Sequence, residues 1–305
     1  MGSLLLLVLY YALLNSWAAA IFTSNQTTAN TTFPINSVTA NSATVKSNPA
    51  TNKILIWVMT SPKNHQKALH VKNTWGNRTD KLLFFSTEID ENLPTVKLPV
   101  QEGYAFLWNK TREAFKFVYE KYLQDYDWFM KSDDDTFVNV ENLRYMLSNY
   151  SPSKPTYFGC KYKLPGSGQV FMSGGGGYIL SQEALRLFVE EGYNNKEKCS
   201  QNPRGFEDVE MGRCLENVGV KAGDSRDEFG RERFSAFPPE GEFDPAYFRK
   251  DFWAMNYSYY PRIYGQSHLS DNAISFHYVT PANMYALDYL MYRFKTIKST
   301  DEKIP

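Results

Sequence analysis

The first 45 residues contain no Asp, Glu, Lys or Arg. No basic flank precedes the apolar stretch at residues 4–22, so the positive-inside rule gives no orientation for it. The chain has few cysteines, three in 305 residues, and only four histidines. That argues against a structural zinc site built from clustered Cys and His. Lys+Arg and Asp+Glu are both 33, and the formal net charge is zero. A nucleic-acid binder would carry a basic excess, which is missing. Several catalytic signatures are also missing. Met172-Ser-Gly-Gly-Gly-Gly-Tyr178 has no following Lys-Ser/Thr, so it is no P-loop. Gly166-Ser-Gly168 is followed by Phe171, not by the third glycine of a dinucleotide fingerprint. There is no Gly-X-Ser-X-Gly elbow and no internal repeat.

What is present fits one large catalytic domain with appendages. Apolar residues make up 43% and aromatics 16%, enough to bury a sizeable core. Residues 1–22 read as a signal-anchor or as a signal peptide cut after Ala18-Ala19-Ala20. Residues 23–52 are rich in Ser, Thr and Asn and read as a flexible stem. Residues 53–295 are the expected catalytic domain, and 296–305 a tail. Either N-terminal reading delivers the domain to the secretory pathway. Asn-X-Ser/Thr triplets begin at Asn25, Asn30, Asn77, Asn109, Asn149 and Asn256. Pro152 follows the Asn149 triplet and disfavours it, which leaves Asn77, Asn109 and Asn256 as the candidates within the domain. In an oxidising lumen two cysteines should pair. Cys199 and Cys214 are close in sequence and are the expected disulfide; Cys160 is then free or bridges a homodimer.

Periodicity predicts strands over 53–59, 81–85 and 127–130, with helices over 64–75, 106–122 and 140–148. This alternation is the α/β pattern with a mainly parallel sheet. Further helices are expected from Ser181 to about Glu191 and from Glu207 to Asn217. Residues 238–264 are dense in Pro and aromatics and read as irregular, and 274–279 as an alternating strand.

The chemistry concentrates at a few places. Asp133-Asp134-Asp135 ends a strand. In an extended segment Asp133 and Asp135 point one way and Asp134 the other. Two converging carboxylates suit Mg²⁺ or Mn²⁺, and strand ends are where α/β folds bind nucleotides. The plainer reading is an acidic turn. His277, on the 274–279 strand, could add an imidazole ligand or be a core histidine. Glu207-Asp208, at a helix start, reads as a cap or as a general base.

In order, His70-Val-Lys-Asn-Thr-Trp75, Trp128-Phe-Met-Lys-Ser-Asp-Asp-Asp-Thr136, Met172-Ser-Gly-Gly-Gly-Gly-Tyr178, Glu207-Asp-Val-Glu-Met-Gly-Arg-Cys214 and Ser275-Phe-His-Tyr-Val279 resemble a known family. It is that of the secretory-pathway β1,3-glycosyltransferases, in particular the core 1 β1,3-galactosyltransferases. The resemblance implies a GT-A fold, with a nucleotide-binding sheet and an acceptor-binding part. It implies an inverting transfer of galactose from UDP-galactose to the 3-hydroxyl of GalNAc on glycoprotein Ser or Thr, with Mn²⁺ as cofactor. A different donor or acceptor, or a non-catalytic chaperone-like role, are the alternatives. It implies a single-pass type II Golgi membrane protein with a luminal domain; secretion after signal cleavage is the alternative. By resemblance Asp133, Asp135 and His277 are metal ligands and Asp208 is the base. Lys72, Trp75, Asp134 and Gly175 fall on the donor side. Glu207 falls on the acceptor side, where Trp108, Trp253 and Tyr257 are expected to stack on the acceptor sugar. Thr79 and Gln266-Ser-His268 stand where the family has cysteines, which implies a lost disulfide.

Overall fold

The computed structural model describes residues 52–244, 252–262 and 265–295. The expectations for residues 1–22, 23–51 and 296–305 lie outside the described residues, as do the side chain of Trp253 and the sequons at Asn25 and Asn30.

In chain order, strand β1 (Ile54–Met59) leads through helix α1 (His65–Asn73) to β2 (Lys81–Ser86) and β3 (Thr95–Lys97). Helix α2 (Leu107–Tyr122) precedes β4 (Trp128–Asp133), then come β5 (Phe137–Val138) and α3 (Val140–Leu147). Strands β6 (Thr156–Gly159), β7 (Lys161–Lys163), β8 (Val170–Met172) and β9 (Tyr178–Ser181) follow. The rest is α4 (Gln182–Leu187), α5 (Glu207–Asn217), β10 (Lys221–Ala222), α6 (Pro239–Phe243), α7 (Phe252–Tyr257), β11 (Ser275–Phe276) and α8 (Pro281–Tyr292).

Seven strands form one sheet in the order β10-β6-β9-β4-β1-β2-β3. All neighbours are parallel except β9, which runs antiparallel to both β4 and β6. The α/β class with a mainly parallel sheet is therefore as the sequence predicts. Every residue of β1 is buried, which is why it reads as a continuous apolar run rather than an alternation. Ile54, Ile56 and Val58 face a core shared with Ala68, Val71 and Trp75. Leu55, Trp57 and Met59 face the opposite core, with Trp108, Phe115 and Val118. On β4 the same alternation puts Trp128 and Met130 on the first face and Phe129 on the second. Lys131 thus falls on the second face, toward α2 and α5.

From β1 the chain leaves for β2 on one side, while β4 lies on the other. Such a switch point opens a crevice at the carboxyl ends of the strands. Met59 pairs in register with Asp133, so Thr60 and the aspartate triplet emerge side by side at that crevice.

Three expectations need correcting, and for Cys160 the free reading holds over the bridging one. The helix capped by Ser181, whose hydroxyl accepts from Ala184 N at 3.1 Å, is regular only to Leu187 and then widens into a π-turn, Phe188–Gly192. The segment expected to be irregular contains the short helices α6 and α7. The expected strand over 274–279 pairs only through Ser275 and Phe276, because Tyr278 takes a left-handed φ of 55° that ends the strand. Cys160 is buried among the core side chains, so it cannot bridge two chains as it stands. Burial pushes its thiol up to about 12.

Where the resemblance implied a lost disulfide, a buried ion pair fastens the segment. Glu242 and Arg262 are both buried, and one guanidinium nitrogen lies 2.7 Å from each carboxylate oxygen. Ser235 donates to the same carboxylate. His268 lies 3.7 Å away, and burial together with Arg262 depresses it to about 3.

The Cys199–Cys214 disulfide is present. It ties the loop after the π-turn to α5, the helix whose first residues are Glu207 and Asp208. Closing a loop with a separation of 15 residues is worth about 3 kcal/mol in the chain-entropy account. Replacing both cysteines by alanine should lower unfolding free energy in urea by that order. A loss well under 1 kcal/mol would contradict this role.

Candidate active site

At the crevice a cleft of about 660 Å³ opens between residues 59–67, the 102–110 segment and the triplet 133–135, with His277 and Tyr278 at one wall. The triplet divides as expected, although β4 ends at Asp133 and Asp134 and Asp135 lie in the turn that follows. Asp133 and Asp135 turn toward His277, whose Nε2 lies 3.8 Å from Asp133 Oδ2 and 3.2 Å from Asp135 Oδ1. Asp134 turns the other way, is buried, and accepts from the Thr60 hydroxyl at 2.8 Å. Burial raises its pKa, against the pull of Lys67 and Thr60.

The Asp133, Asp135 and His277 ligand atoms all lie within 4.8 Å of one another. Two carboxylate oxygens and one imidazole nitrogen form a donor set suited to Mn²⁺ or a similar divalent ion. The residues present therefore fit a metal. Lys67 also reaches this cluster, 2.8 Å from Asp135 and 3.2 Å from Asp134. Burial alone would raise the Asp135 carboxyl, but His277 and Lys67 hold it well below the usual range.

The cluster is held by backbone. Trp75, fully buried, donates its indole N–H to the Thr136 carbonyl at 3.0 Å. Thr136 in turn donates to the Gly175 carbonyl at 2.8 Å, and Val279 N donates to the Asp135 carbonyl at 2.9 Å. Gly175 packs directly on the His277 ring, and a Cβ there would land inside the imidazole. Here glycine is needed for space rather than for φ.

The preceding residue of that loop, Gly174, meets Asp208 of α5. Gly174 N donates to its Oδ2 at 3.0 Å and Val209 N to its Oδ1 at 2.9 Å. Burial raises the Asp208 pKa, opposed by the Gly174 amide and by Lys131. Beneath it, Glu207 is buried and accepts from Tyr178 at 2.5 Å and Thr111 at 3.0 Å. Lys131, also buried, joins the two halves. Its ammonium is 2.7 Å from Asp133, 3.0 Å from the Gly174 carbonyl and 3.7 Å from Glu207. Burial would lower its pKa, but Asp133 and Glu207 hold it above its ordinary value.

The structure brings together Asp133, Asp134, Asp135, Gly175, Glu207, Asp208 and His277. Other expected site residues lie elsewhere. Trp108 is fully buried against Phe188, with its indole N–H on the Ser200 carbonyl at 3.1 Å. It is a core residue and cannot stack on a sugar. Lys72 turns away from the cleft to the Asn92 carbonyl at 2.5 Å; Lys67, earlier on α1, is the lysine of that helix that reaches the aspartates. Trp75 supports the triplet from behind. Tyr257 is half-buried and edge-on to Phe171. Asn77 and Asn256 are exposed, whereas Asn109 is half-buried and the Thr111 of its triplet is fully buried.

Sequence reasoning missed Lys131 and Lys67. For Lys131 a signal existed: a lone lysine inside the buried strand Trp128–Asp133 must be paired. For Lys67 there was none.

A Fringe-like family model matches residues 50–234. Glycoprotein-N-acetylgalactosamine 3-β-galactosyltransferase 1 of Xenopus laevis is 44% identical over 245 residues, 80% of this chain and 67% of that protein. Human chondroitin sulfate synthase 3 is 32% identical over 186 residues, 54% of this chain but 20% of that protein. Human β-1,3-glucosyltransferase is 26% identical over 170 residues, covering 55% and 33%. Among solved structures, the galactosyltransferase LgtC in complex with donor and acceptor sugar analogs gives a TM-score of 0.43 at 11% identity, covering 80% of this chain and 98% of that one. A likeness that weak adds nothing to the sequence relatives. The fold and these relatives define a glycosyltransferase. Within that class the chain belongs to the Fringe-like family, in the group of glycoprotein-N-acetylgalactosamine 3-β-galactosyltransferases.

The raised pKa of Asp208 has a stability consequence. A carboxyl whose folded pKa lies above its unfolded value favours folding below the unfolded pKa. That contribution is lost as pH rises through the folded pKa, so at neutral pH the ionised group is a net cost. Asp208→Asn should therefore melt no lower than the parent at pH 7.5, and its advantage should shrink as pH falls toward 4. A variant that melts several degrees lower at pH 7.5 would contradict the burial argument.

Proposed function

We propose that this chain transfers galactose from UDP-galactose to the 3-hydroxyl of N-acetylgalactosamine α-linked to Ser or Thr of a glycoprotein, with inversion at the sugar carbon. The Xenopus laevis relative, named for that linkage, supports the donor and acceptor. The observation that carries the chemistry is the sharing of one glycine loop. Gly174 bonds Asp208 while Gly175 packs on His277, so base and metal cluster stand on either side of a single backbone turn.

The roles follow from the geometry. Asp208, its proton affinity raised by burial, takes the proton of the acceptor hydroxyl. The new bond forms between that oxygen and C1 of the sugar, and the bond from C1 to the diphosphate oxygen breaks. The proton ends on Asp208 and the electron pair on UDP. Asp133, Asp135 and His277 would hold Mn²⁺, which when bound offsets the charge of the departing diphosphate. Lys67, at the same cluster, adds a fixed positive charge. No side-chain nucleophile is required.

The same reading covers location. The apolar run at residues 4–22 and the sequons support a single-pass type II Golgi membrane protein with the catalytic part luminal. Secretion after signal cleavage is the competing outcome. No helix among the described residues is long and apolar enough to cross a membrane.

The test is a transfer assay with UDP-galactose, a GalNAc-α-Thr peptide and Mn²⁺. The product should be β1,3-linked, and chelation should abolish turnover. Asp208→Asn should lower kcat by at least about 10²-fold, the scale of general-base catalysis, while UDP binding persists. Transfer only from another donor or to another acceptor would replace the substrates and keep the class. Full activity in Asp208→Asn would overturn the base.

A further inference from the structure

Two exposed aromatic side chains, Tyr104 in the cleft lining and Phe206 directly before Glu207 and Asp208, have no part in the core. Tyr104 is 80% exposed and Phe206 is 70% exposed. Burying such rings is normally favourable, so exposed aromatics beside a reactive group point to a ligand that covers them. They lie about a hundred residues apart in sequence, yet their loops are joined. Gly205 N donates to the Ala105 carbonyl at 3.3 Å, and the Arg204 guanidinium lies 5.0 Å from the Phe106 ring centre. Tyr104 lines the cleft. Partial burial, then the Asp208, Glu207 and Asp133 carboxylates, push its phenol upward, so that ring sits within the field of the base. Phe206 is the N-cap residue of α5 and immediately precedes Glu207 and Asp208.

An acceptor hydroxyl must come within hydrogen-bond reach of the base. On the proposed reading the nucleotide takes the β1 end of the cleft, around Thr60 and the aspartate triplet. The acceptor must then approach from the side that Tyr104 and Phe206 border. We propose that Tyr104 and Phe206 together form an aromatic platform that takes the C–H face of the acceptor pyranose and sets its hydroxyl toward Asp208. The platform replaces buried Trp108 in the acceptor role. It rests on the reading of Asp208 as the base and deepens it by assigning the sugar contact. A pyranose offers one face of axial C–H bonds, which packs on an aromatic ring, and a rim of hydroxyls, which the Tyr104 hydroxyl and neighbouring carboxylates can bond.

The test uses the full chain with UDP-galactose, Mn²⁺ and methyl α-N-acetylgalactosaminide, an acceptor with no peptide. Tyr104→Ala and Phe206→Ala should each raise the acceptor KM by about tenfold or more and leave the UDP-galactose KM unchanged. Tyr104→Phe should stay within about threefold of the parent. Both residues are exposed, so melting temperatures should not move. Unchanged acceptor KM in both alanine variants would overturn the platform while leaving the transfer reading intact. If the parent transfers nothing to this sugar, the substrate reading fails separately. Saturation-transfer NMR with a panel of methyl pyranosides, in the presence of UDP and Mn²⁺, then decides the platform. A signal in the parent that is lost in the double variant supports it. No signal in the parent, or equal signals in both, overturns it.

Discussion

The Lys131 ammonium is buried where β4 ends, and three parts of the molecule depend on it. Asp133 belongs to the strand, the Gly174 carbonyl to the glycine loop and Glu207 to α5, and all three surround this one cation. A buried ammonium with no partner would cost several kcal/mol, as would two carboxylates brought together without one. The arrangement is therefore mutual: the cation makes the carboxylates tolerable, and they hold it charged. Its consequence is geometric. The metal-type cluster and Asp208 cannot drift apart without breaking a buried ion pair.

The glycine loop imposes the second constraint. Side chains crowd it from both sides, with His277 against Gly175 and Glu207 Oε2 2.6 Å from where a Gly174 Cβ would stand. Backbone groups there are left to do what side chains do elsewhere. The Gly174 N–H supports Asp208 and its carbonyl supports Lys131. The Gly175 carbonyl receives Thr136. Behind the loop, Trp75 and Thr136 fix the aspartate triplet. The bulk of Trp75 thus serves to position backbone.

Much of this was legible in the sequence because the signals were local. The apolar run of β1, the amphipathic α2 and the acidic strand end each announce themselves by period or by chemistry. The pairing of Asp133 with Asp135 was expected from alternation, and the turn that begins after Asp133 delivers it instead. What was not legible depends on three-dimensional placement. Trp108 has the residue type of a sugar platform, but its helical position turns it into the core beside Phe188. Lys67 and Lys72 lie on the same helix, and only the packing of α1 decides which reaches the cleft. Tyr278 ends β11 by a left-handed turn that no pattern of alternation foretells. Tyr104 and Phe206 lie in connecting segments, where periodicity carries no information.

The central claim is that Asp133, Asp135 and His277 form one divalent-metal site, separate in function from Asp208. Titration of the chain with Mn²⁺ in the presence of UDP, followed by electron paramagnetic resonance of the free ion, tests it directly. The account predicts one bound Mn²⁺ per chain, lost in His277→Ala and retained in Asp208→Asn. Undiminished Mn²⁺ binding in His277→Ala, or its loss in Asp208→Asn, would contradict the account.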